Sequence, residues 1–246
     1  MEAAIFSRER PTVGSMLSLT FKIFSTHFIP LSLIGMVAFL PLALMTAATE
    51  LMANAPSQGL VILFAGMLGM LITLPAGYAA VLNAVFQAAQ GRPIDIGQCL
   101  ATGFRKLPRT LGVMFLATLL TFLGFLALVI PGVIAYLAFF LSVPVVAVED
   151  VSVVGALNRS SELIKGFRGV ALGTNFVLGL ISGCFSFVTG MLIVLLGSQP
   201  VLSFILNLVI SGITGGLGIV AAGLIYFVVR ANKESIGVDA IAAVFD

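Results

Sequence analysis

The chain has 246 residues, and only 9% of them are charged, whereas 60% are hydrophobic. Soluble chains are about 25% charged, and disordered chains combine high charge with few aliphatic residues, so this composition excludes both classes. Two cysteines are too few for a disulfide scaffold. The composition therefore predicts a protein that crosses a membrane several times.

Six membrane-spanning helices are predicted, because about 20 mostly apolar residues are needed to cross a hydrocarbon core about 30 Å thick. The long apolar stretches do not alternate with polar residues as the strands of a membrane barrel would. The predicted fold is therefore all-α, with one integral membrane domain over 1–246. Its approximate spans are 28–49, 60–89, 110–130, 132–148, 169–196 and 201–229.

Turn-forming residues set the boundaries between these spans. Asn54 lies in a polar break after the first span. Pro131-Gly132 divides the uncharged stretch 111–148, which is too long for one crossing. Ser198, between Gly197 and Pro200, divides the last uncharged stretch in the same way.

The distribution of charge predicts the orientation. Six spans place both termini on one side, together with loops 90–109 and 149–168, and that side carries 21 of the 22 charges, Glu50 being the exception. Excess Lys and Arg marks the cytoplasmic face, so both termini are predicted to be cytoplasmic. The basic residues on that side are Arg8, Arg10, Lys22, Arg92, Arg105, Lys106, Arg109, Arg159, Lys165, Arg168, Arg230 and Lys233.

Each of the three predicted hairpins follows a stretch with the pattern of a cytoplasmic amphipathic interfacial helix. Asp95, and either Asp150 or Ser152, are predicted to cap the second and third of these helices. Gly14-x-x-Leu17-x-x-x-Phe21-Lys22 parallels Gly97-x-x-Leu100-x-x-x-Phe104-Arg105, which indicates a repeat. The apolar faces comprise Leu17, Phe21, Phe24 and Phe28; Ile96, Leu100, Phe104 and Leu107; and Val153, Leu157, Ile164 and Phe167, with Ser160 in the remaining turn.

The sequence contains little that would support catalysis. His27 is the only histidine, which excludes a zinc site without Cys or carboxylate neighbours, and none of the predicted spans has an Asp, Glu, Lys or Arg in its interior. We therefore expect no enzyme activity, no metal and no cofactor. Several spans contain amides or hydroxyls that suit interhelical hydrogen bonds or, as the alternative, a polar ligand path: Asn83, Thr118, Thr121, Asn175, Thr189, Asn207 and Thr214.

Pairs of glycines four residues apart indicate close helix packing. They occur in the fifth span, at Gly169 and Gly173 and at Gly179 and Gly183, and in the sixth, at Gly212 and Gly216. Packing of these two spans against each other is the favoured interpretation. A seam between two copies of the chain is the alternative.

The loop after the fourth span carries the most specific charge pattern. Glu149 ends the span, and Arg159, Glu162 and Lys165 follow at three-residue spacing, which would place these three on one face of a helix. With Arg230, these residues are the candidate contacts for lipid or for a protein partner. A simply solvated face is the alternative.

Several short motifs carry a resemblance to a known family: Pro131-Gly132, Pro144, Glu149, Ala156-Leu157, Arg159-Ser160, Leu163, Lys165-Gly166, Tyr226, Arg230 and Glu234. They resemble those of a bacterial six-span family of unknown function, and of the membrane domain attached to some glycerophosphoryl diester phosphodiesterases. Asn158, Phe227-Val228-Val229 and Ser235 depart from the pattern. The resemblance implies a bacterial inner-membrane protein without an assigned reaction, and it does not imply hydrolysis, because the catalytic half is absent.

These observations predict a nonenzymatic membrane protein that organises lipid or a protein partner at its cytoplasmic face. The expected partners are the bilayer with its anionic headgroups and a protein or a second copy of the chain, with no nucleic acid. A small-solute transporter or channel at the repeat interface is the alternative, because transporter sites lie between repeats near the membrane midplane.

Overall fold

A computed structural model describes residues 11–52, 55–197 and 199–234. Arg8, Arg10, Asn54, Ser198 and Ser235, which entered the predictions above, lie outside these ranges. The helices are α1 (Val13–Thr26), α2 (Phe28–Leu51), α3 (Pro56–Ala89), α4 (Ile96–Ala127), α5 (Val129–Phe139), α6 (Ser142–Val148), α7 (Val153–Leu163), α8 (Arg168–Leu195) and α9 (Pro200–Glu234).

Six helical segments in the described ranges are long and apolar enough to cross a membrane, namely α2, α3, α4, the pair α5 and α6, α8 and α9. This confirms the predicted all-α fold with six spans, and the protein is a multi-pass membrane protein. Some of these helices are longer than a bilayer requires. At 1.5 Å per residue, the 34 residues of α3 extend about 51 Å, so its ends reach beyond a hydrocarbon core of about 30 Å.

The hairpin between α4 and α5 turns earlier than the sequence predicted. The chain breaks at Leu128, whose backbone is extended, and not at Pro131-Gly132. Pro131 lies in the first turn of α5, where its missing N–H costs no intrahelical hydrogen bond. Gly132 instead allows close packing, because a Cβ there would overlap the ring of Phe125.

The fourth span is divided a second time, by a short turn at Phe140 and Leu141 that separates α5 from α6. All seven residues of α6 are buried, including Ser142 and Pro144, whereas most of α5 is exposed or half-buried. The predicted span 132–148 is therefore two helices with different surroundings. The first faces lipid on one side, and the second is enclosed by protein.

The buried core lies toward one end of the bundle. It includes the last turns of α3, all of α6 and the segment of α9 from Leu217 to Arg230. We call this end, which carries Arg109, Asp150, Arg159 and Glu234, the charged end. At the opposite end the hydroxyl of Ser203 donates a 2.6 Å hydrogen bond to Glu50, the acidic residue that the charge pattern separated from the others.

Glycines bring the first and sixth spans into close contact. The fifth and sixth spans contact each other as predicted, but not through the glycine pair Gly179 and Gly183. A Cβ on Gly35 would overlap the carbonyl oxygen of Gly212, and a Cβ on Gly212 would meet Met36 of α2. By contrast, a Cβ on Gly179 or Gly183 would meet nothing within 4 Å. These two glycines lie on a lipid-facing side of α8, so their spacing does not mark a contact within one chain.

Two of the three predicted surface helices are separate elements. The second is continuous with the third span, since α4 runs from Ile96 without a break. The predicted apolar face of α1 changes in part, because its buried stripe contains Met16 and Ile23 beside the predicted Phe24, whereas Phe21 is exposed. The predicted face of the third surface helix is buried, as at Leu157. Asp95 and Ser152 cap α4 and α7 as predicted, accepting 2.9 and 3.1 Å hydrogen bonds from backbone N–H groups.

Candidate functional site

Five side chains from three parts of the sequence meet at the charged end and form what we call the ion cluster. Glu149 comes from the residue after α6, and Arg159 lies on α7. Tyr226, Arg230 and Glu234 lie on α9 at spacings of four, which places them along one face of that helix.

The contacts of the ion cluster form a continuous network. The Tyr226 hydroxyl donates a 2.8 Å hydrogen bond to Glu149 Oε1 and accepts one of 2.9 Å from Arg230 Nη1. Arg230 Nε donates a 2.9 Å hydrogen bond to Glu234 Oε2. Arg159 Nε lies 3.3 Å from Glu149 Oε2, and Arg159 Nη2 forms an ion pair with Glu234 Oε1.

The ion cluster has balanced charges, and its side chains are partly or fully buried. Two guanidinium groups face two carboxylates, Tyr226 is fully buried, and Arg230 is only 9% exposed. A buried ion pair is itself weak evidence of stability, but the loss of one partner leaves a charge without compensation and costs about 3–5 kcal/mol. The cluster therefore fastens α7 and the end of α6 to α9 with a defined geometry.

Other contacts at the charged end attach the neighbouring helices. Lys106 on α4 donates to the carbonyl oxygen of Ala147, near the end of α6. Arg109 forms an ion pair with Asp150. Lys233 donates to the carbonyl oxygen of Glu162 at the end of α7. Basic side chains of this end thus also hold carbonyl groups and carboxylates of the protein itself.

Ser160 joins α7 to the break in the fourth span. Its hydroxyl donates a 2.7 Å hydrogen bond to the carbonyl of Ala138 and accepts one of 3.0 Å from the N–H of Leu141. The side chain is fully buried. These two bonds satisfy backbone groups that the division of the span would leave without partners, a costly condition inside a membrane protein.

The structure brings together three of the five predicted contact residues, namely Glu149, Arg159 and Arg230. Glu162 and Lys165 stay outside the ion cluster, and both are exposed. The predicted single face does not form, because α7 ends at Leu163 and Lys165 lies in the following turn.

Two residues of the ion cluster and one supporting residue were not predicted as site residues. Tyr226 and Glu234 were detectable in the sequence, since each lies four positions from Arg230 on the same helix face. Ser160 carried no such signal, because its partners are backbone groups of another helix.

An exposed aromatic residue precedes an exposed basic residue in both of the matching sequence motifs, Gly14 to Lys22 and Gly97 to Arg105. Phe21 is 43% exposed beside Lys22 on α1, and Phe104 is 47% exposed beside Arg105 on α4. We call these two the aromatic-basic pairs. Aromatic side chains and long basic side chains suit the boundary between hydrocarbon and headgroups, where one end of the side chain is apolar and the other is polar.

Most of the predicted polar residues within the spans bond to their own helix. Asn175 and Asn207 each donate to the carbonyl four residues earlier, at 2.9 Å, and Thr189 and Thr214 do so at 2.8 Å. Asn83 differs, because its side-chain oxygen accepts bonds from Gln87 of the same helix and from Cys99 of α4. Interhelical bonding, predicted for all of them, is therefore found at Asn83 and not at these four.

A cavity of about 610 Å³ lies within the membrane-spanning part of the bundle. Its wall comes from α4, α5, the turn at Phe140, the start of α6, α8 and α9, together with Tyr78 of α3. We call it the bundle cavity. It separates the second predicted hairpin from the third, and Asn175 lies in its wall.

Comparisons with known proteins support the membrane assignment and add little about activity. No family model matches the chain, and no solved structure matches it. The chain is 29% identical over 82 residues to a UPF0259 membrane protein from Sodalis glossinidius (strain morsitans), a match that covers 33% of each chain. The chain therefore matches about a third of the length of this curated relative, whose name states only that it is a membrane protein.

Proposed function

We propose that this multi-pass membrane protein is nonenzymatic and organises anionic lipid headgroups at the cytoplasmic face of a bacterial inner membrane. In this proposal the charged end is the cytoplasmic one, as the distribution of Lys and Arg predicts. A six-span family of unknown function is the sequence resemblance that agrees with it.

The observation that carries the proposal is the repeated exposure of an aromatic residue beside a basic one. Phe21 and Phe104 are too exposed to contribute mainly to the protein core, and the pairs Phe21-Lys22 and Phe104-Arg105 occupy equivalent places in two repeats. In the headgroup region the ring would be buried among lipid and the cation would meet phosphate. Each basic residue near an anionic surface contributes about 1 kcal/mol.

The ion cluster has a supporting part in this proposal. Glu149, Arg159 and Arg230 form ion pairs with one another and with Glu234, which balances their charges, so these charges are directed inward and not toward headgroups. The cluster holds α7 against α9 and thereby keeps the neighbouring exposed side chain of Lys165 at the same end of the bundle. Lys165 remains a proposed headgroup contact, Glu162 remains a candidate contact for a protein partner only, and the other three are proposed to position that surface.

The test is retention of anionic lipid by the purified protein. The protein is reconstituted in nanodiscs with phosphatidylethanolamine and phosphatidylglycerol, and the lipid that stays bound after detergent extraction is measured by mass spectrometry. Lys22→Gln with Arg105→Gln removes two charges, so phosphatidylglycerol enrichment is expected to fall by roughly fivefold per residue, equivalent to about 1 kcal/mol.

Glu162→Gln is the matched control, because it removes an exposed charge of the opposite sign at the same end of the protein. It is expected to leave the enrichment unchanged or to raise it. Unchanged enrichment in the Lys22 and Arg105 variant would contradict lipid recognition by the aromatic-basic pairs and would favour a protein partner on this surface.

A small-solute transporter or channel is the second proposal, and the bundle cavity beside Asn175 is the observation that favours it. Its test is solute flux into liposomes that contain the purified protein. Flux that is lost in Asn175→Leu, but kept in Asn207→Leu, would support a path through this cavity, because Asn207 does not line it.

A further inference from the structure

The bundle cavity has the size and lining of a small-molecule site. Such sites occupy about 300–1,000 Å³ and combine a largely apolar wall with a few polar groups that orient the ligand. The bundle cavity, at about 610 Å³, is lined mainly by aromatic and aliphatic side chains and glycines. The polar groups in its wall therefore indicate the chemical class of the molecule that it binds.

Four hydroxyl groups of the wall make no hydrogen bond within the described part of the chain. They belong to Tyr78, Thr118, Thr121 and Tyr136. Other threonines in the same helices or in similar positions do bond to the preceding turn, as Thr110 and Thr214 do at 3.0 and 2.8 Å. Tyr78 and Thr121 are half-buried and Thr118 and Tyr136 are exposed, and a hydroxyl without a partner is costly where water is scarce.

The described lining contains no Asp, Glu, Lys, Arg or His. A charged group entering the bundle cavity would lose its hydration and meet no opposite charge, which is strongly unfavourable at membrane depth. The wall therefore selects an uncharged molecule that offers hydrogen-bonding oxygen atoms.

The rim of the bundle cavity faces lipid. The cavity is open to the surroundings of the bundle, and Phe122, Phe125 and Tyr136, which line it, are exposed, Phe122 by 57%. They belong to α4 and α5, helices of the membrane-spanning set. A molecule already dissolved in the bilayer can thus reach the hydroxyl groups laterally, without passing through water.

We infer that the bundle cavity binds one uncharged glycerolipid of the diacylglycerol class. The ester carbonyls and free hydroxyl of such a lipid supply partners for the four wall hydroxyls, and its acyl chains leave past Phe122 and Phe125 into the bilayer. A phospholipid with the same chains adds a charged phosphate for which the wall has no compensation. This site is independent of the headgroup contacts proposed for the charged end.

The experiment is photolabelling in nanodiscs with a diacylglycerol that carries a photoactivatable acyl chain. Unlabelled diacylglycerol is expected to compete, whereas phosphatidylglycerol with the same acyl chains is expected to compete at least roughly tenfold less well. Equal competition by the two lipids would overturn the inference, because the uncharged wall is its basis.

Gly218→Leu tests the location. A Cβ on Gly218 meets nothing within 4 Å and the residue lines the bundle cavity, so the leucine fills the space without a clash at its first atom. Gly183→Leu is the matched control, since Gly183 has equal room but lies outside the lining. Labelling is expected to fall by roughly tenfold in Gly218→Leu alone. Equal labelling of the two variants would overturn the assignment.

Tyr78→Phe with Tyr136→Phe tests the hydroxyl groups and keeps both rings, so it remains informative even if Gly218→Leu does not fold. Affinity for the diacylglycerol probe is expected to fall by roughly twofold to tenfold per hydroxyl. Unchanged affinity would refute their role. Lys22→Gln with Arg105→Gln is expected to leave labelling intact, which separates this site from the proposed headgroup contacts.

Discussion

Gly35 of α2 and Gly212 of α9 bring the first and sixth spans into direct backbone contact. A Cβ on Gly35 would overlap the carbonyl oxygen of Gly212, and the helices can approach this closely because neither residue has a side chain. The two helices carry Glu50 and Ser203 at one end, where a 2.6 Å hydrogen bond joins them, and α9 carries Arg230 at the other. This crossing therefore sets the position of the helix on which the ion cluster is built.

Gly35→Ala is expected to destabilise the bundle. The added methyl group meets backbone, which cannot move aside as a flexible side chain can, so a cost of about 1–3 kcal/mol is expected. Thermal unfolding of the purified protein in detergent measures the change. Gly183→Ala is the control, because its Cβ meets nothing, and it should be neutral or slightly stabilising. Equal stability of the two variants would contradict the close contact.

Tyr226→Phe is expected to cost about 1.5–3 kcal/mol of stability, because it removes hydrogen bonds to two charged groups, Glu149 and Arg230. Tyr136→Phe is the control, since the Tyr136 hydroxyl makes no hydrogen bond in the described part of the chain. Unfolding by denaturant in mixed micelles measures both. A similar effect of the two substitutions would argue against a hydrogen-bonded network at Tyr226.

Arg230→Met is expected to be more damaging than Tyr226→Phe. It leaves Glu149 and Glu234 with one guanidinium, that of Arg159, in place of two, and breaking a buried pair costs about 3–5 kcal/mol. A double-mutant cycle with Glu149→Gln measures the coupling. The combined variant should be more stable than the sum of the single effects predicts, because it removes charges of both signs. Strict additivity would show that the two residues act separately.

Ser160→Ala is expected to destabilise the turn at Phe140 and Leu141, which divides the fourth span. Without the hydroxyl, the Leu141 N–H and the Ala138 carbonyl lose their partner, at a cost of about 1–3 kcal/mol. Hydrogen exchange of the segment that contains Leu141 should accelerate. Ser161→Ala serves as the control, because its hydroxyl bonds only to Asn158 of its own helix. Unchanged exchange in Ser160→Ala would show that this contact does not hold the break.

The orientation of the chain is open to a direct measurement. A reporter that is active only outside the cytoplasm is expected to be silent when fused after Asp246. The same reporter inserted before Pro56, in the connection at the opposite end, is expected to be active. The reverse pattern would invert the topology and would place the aromatic-basic pairs on the other membrane surface.

The sequence predicted part of the candidate site and could not predict the rest. Glu149, Arg159 and Arg230 were predicted as surface contacts because they are charges beside apolar spans, but the sequence could not show that they form one balanced cluster with Glu234. Glu149 contacts Arg159, 10 positions away, and Arg230, 81 positions away, and such contacts depend on how each helix is rotated and placed. Glu162 and Lys165 were grouped with them by spacing alone, and the end of α7 at Leu163 separates them.

The apolar faces of the surface helices are a second feature that the sequence predicted only in part. In α1 the pattern of Leu17 and Phe21 is as regular as that of Met16 and Ile23, but the second pair is buried by protein and Phe21 is exposed. Both lipid and the protein interior accept apolar side chains. Periodicity therefore predicts an amphipathic helix without deciding which apolar side meets protein.

The sequence by itself determined that the chain crosses a membrane six times and that its charges lie at the ends of the spans. These properties depend on the transfer of each segment into hydrocarbon, which is a local property of about 20 residues. Only the tertiary structure decided that α9 packs on α2 through Gly35 and Gly212, that Ser160 closes the broken span, and that Tyr226 links Glu149 to Arg230. Lipid tails are as apolar as leucine, so hydrophobicity does not drive one helix against another, and shape and hydrogen bonding select the partners.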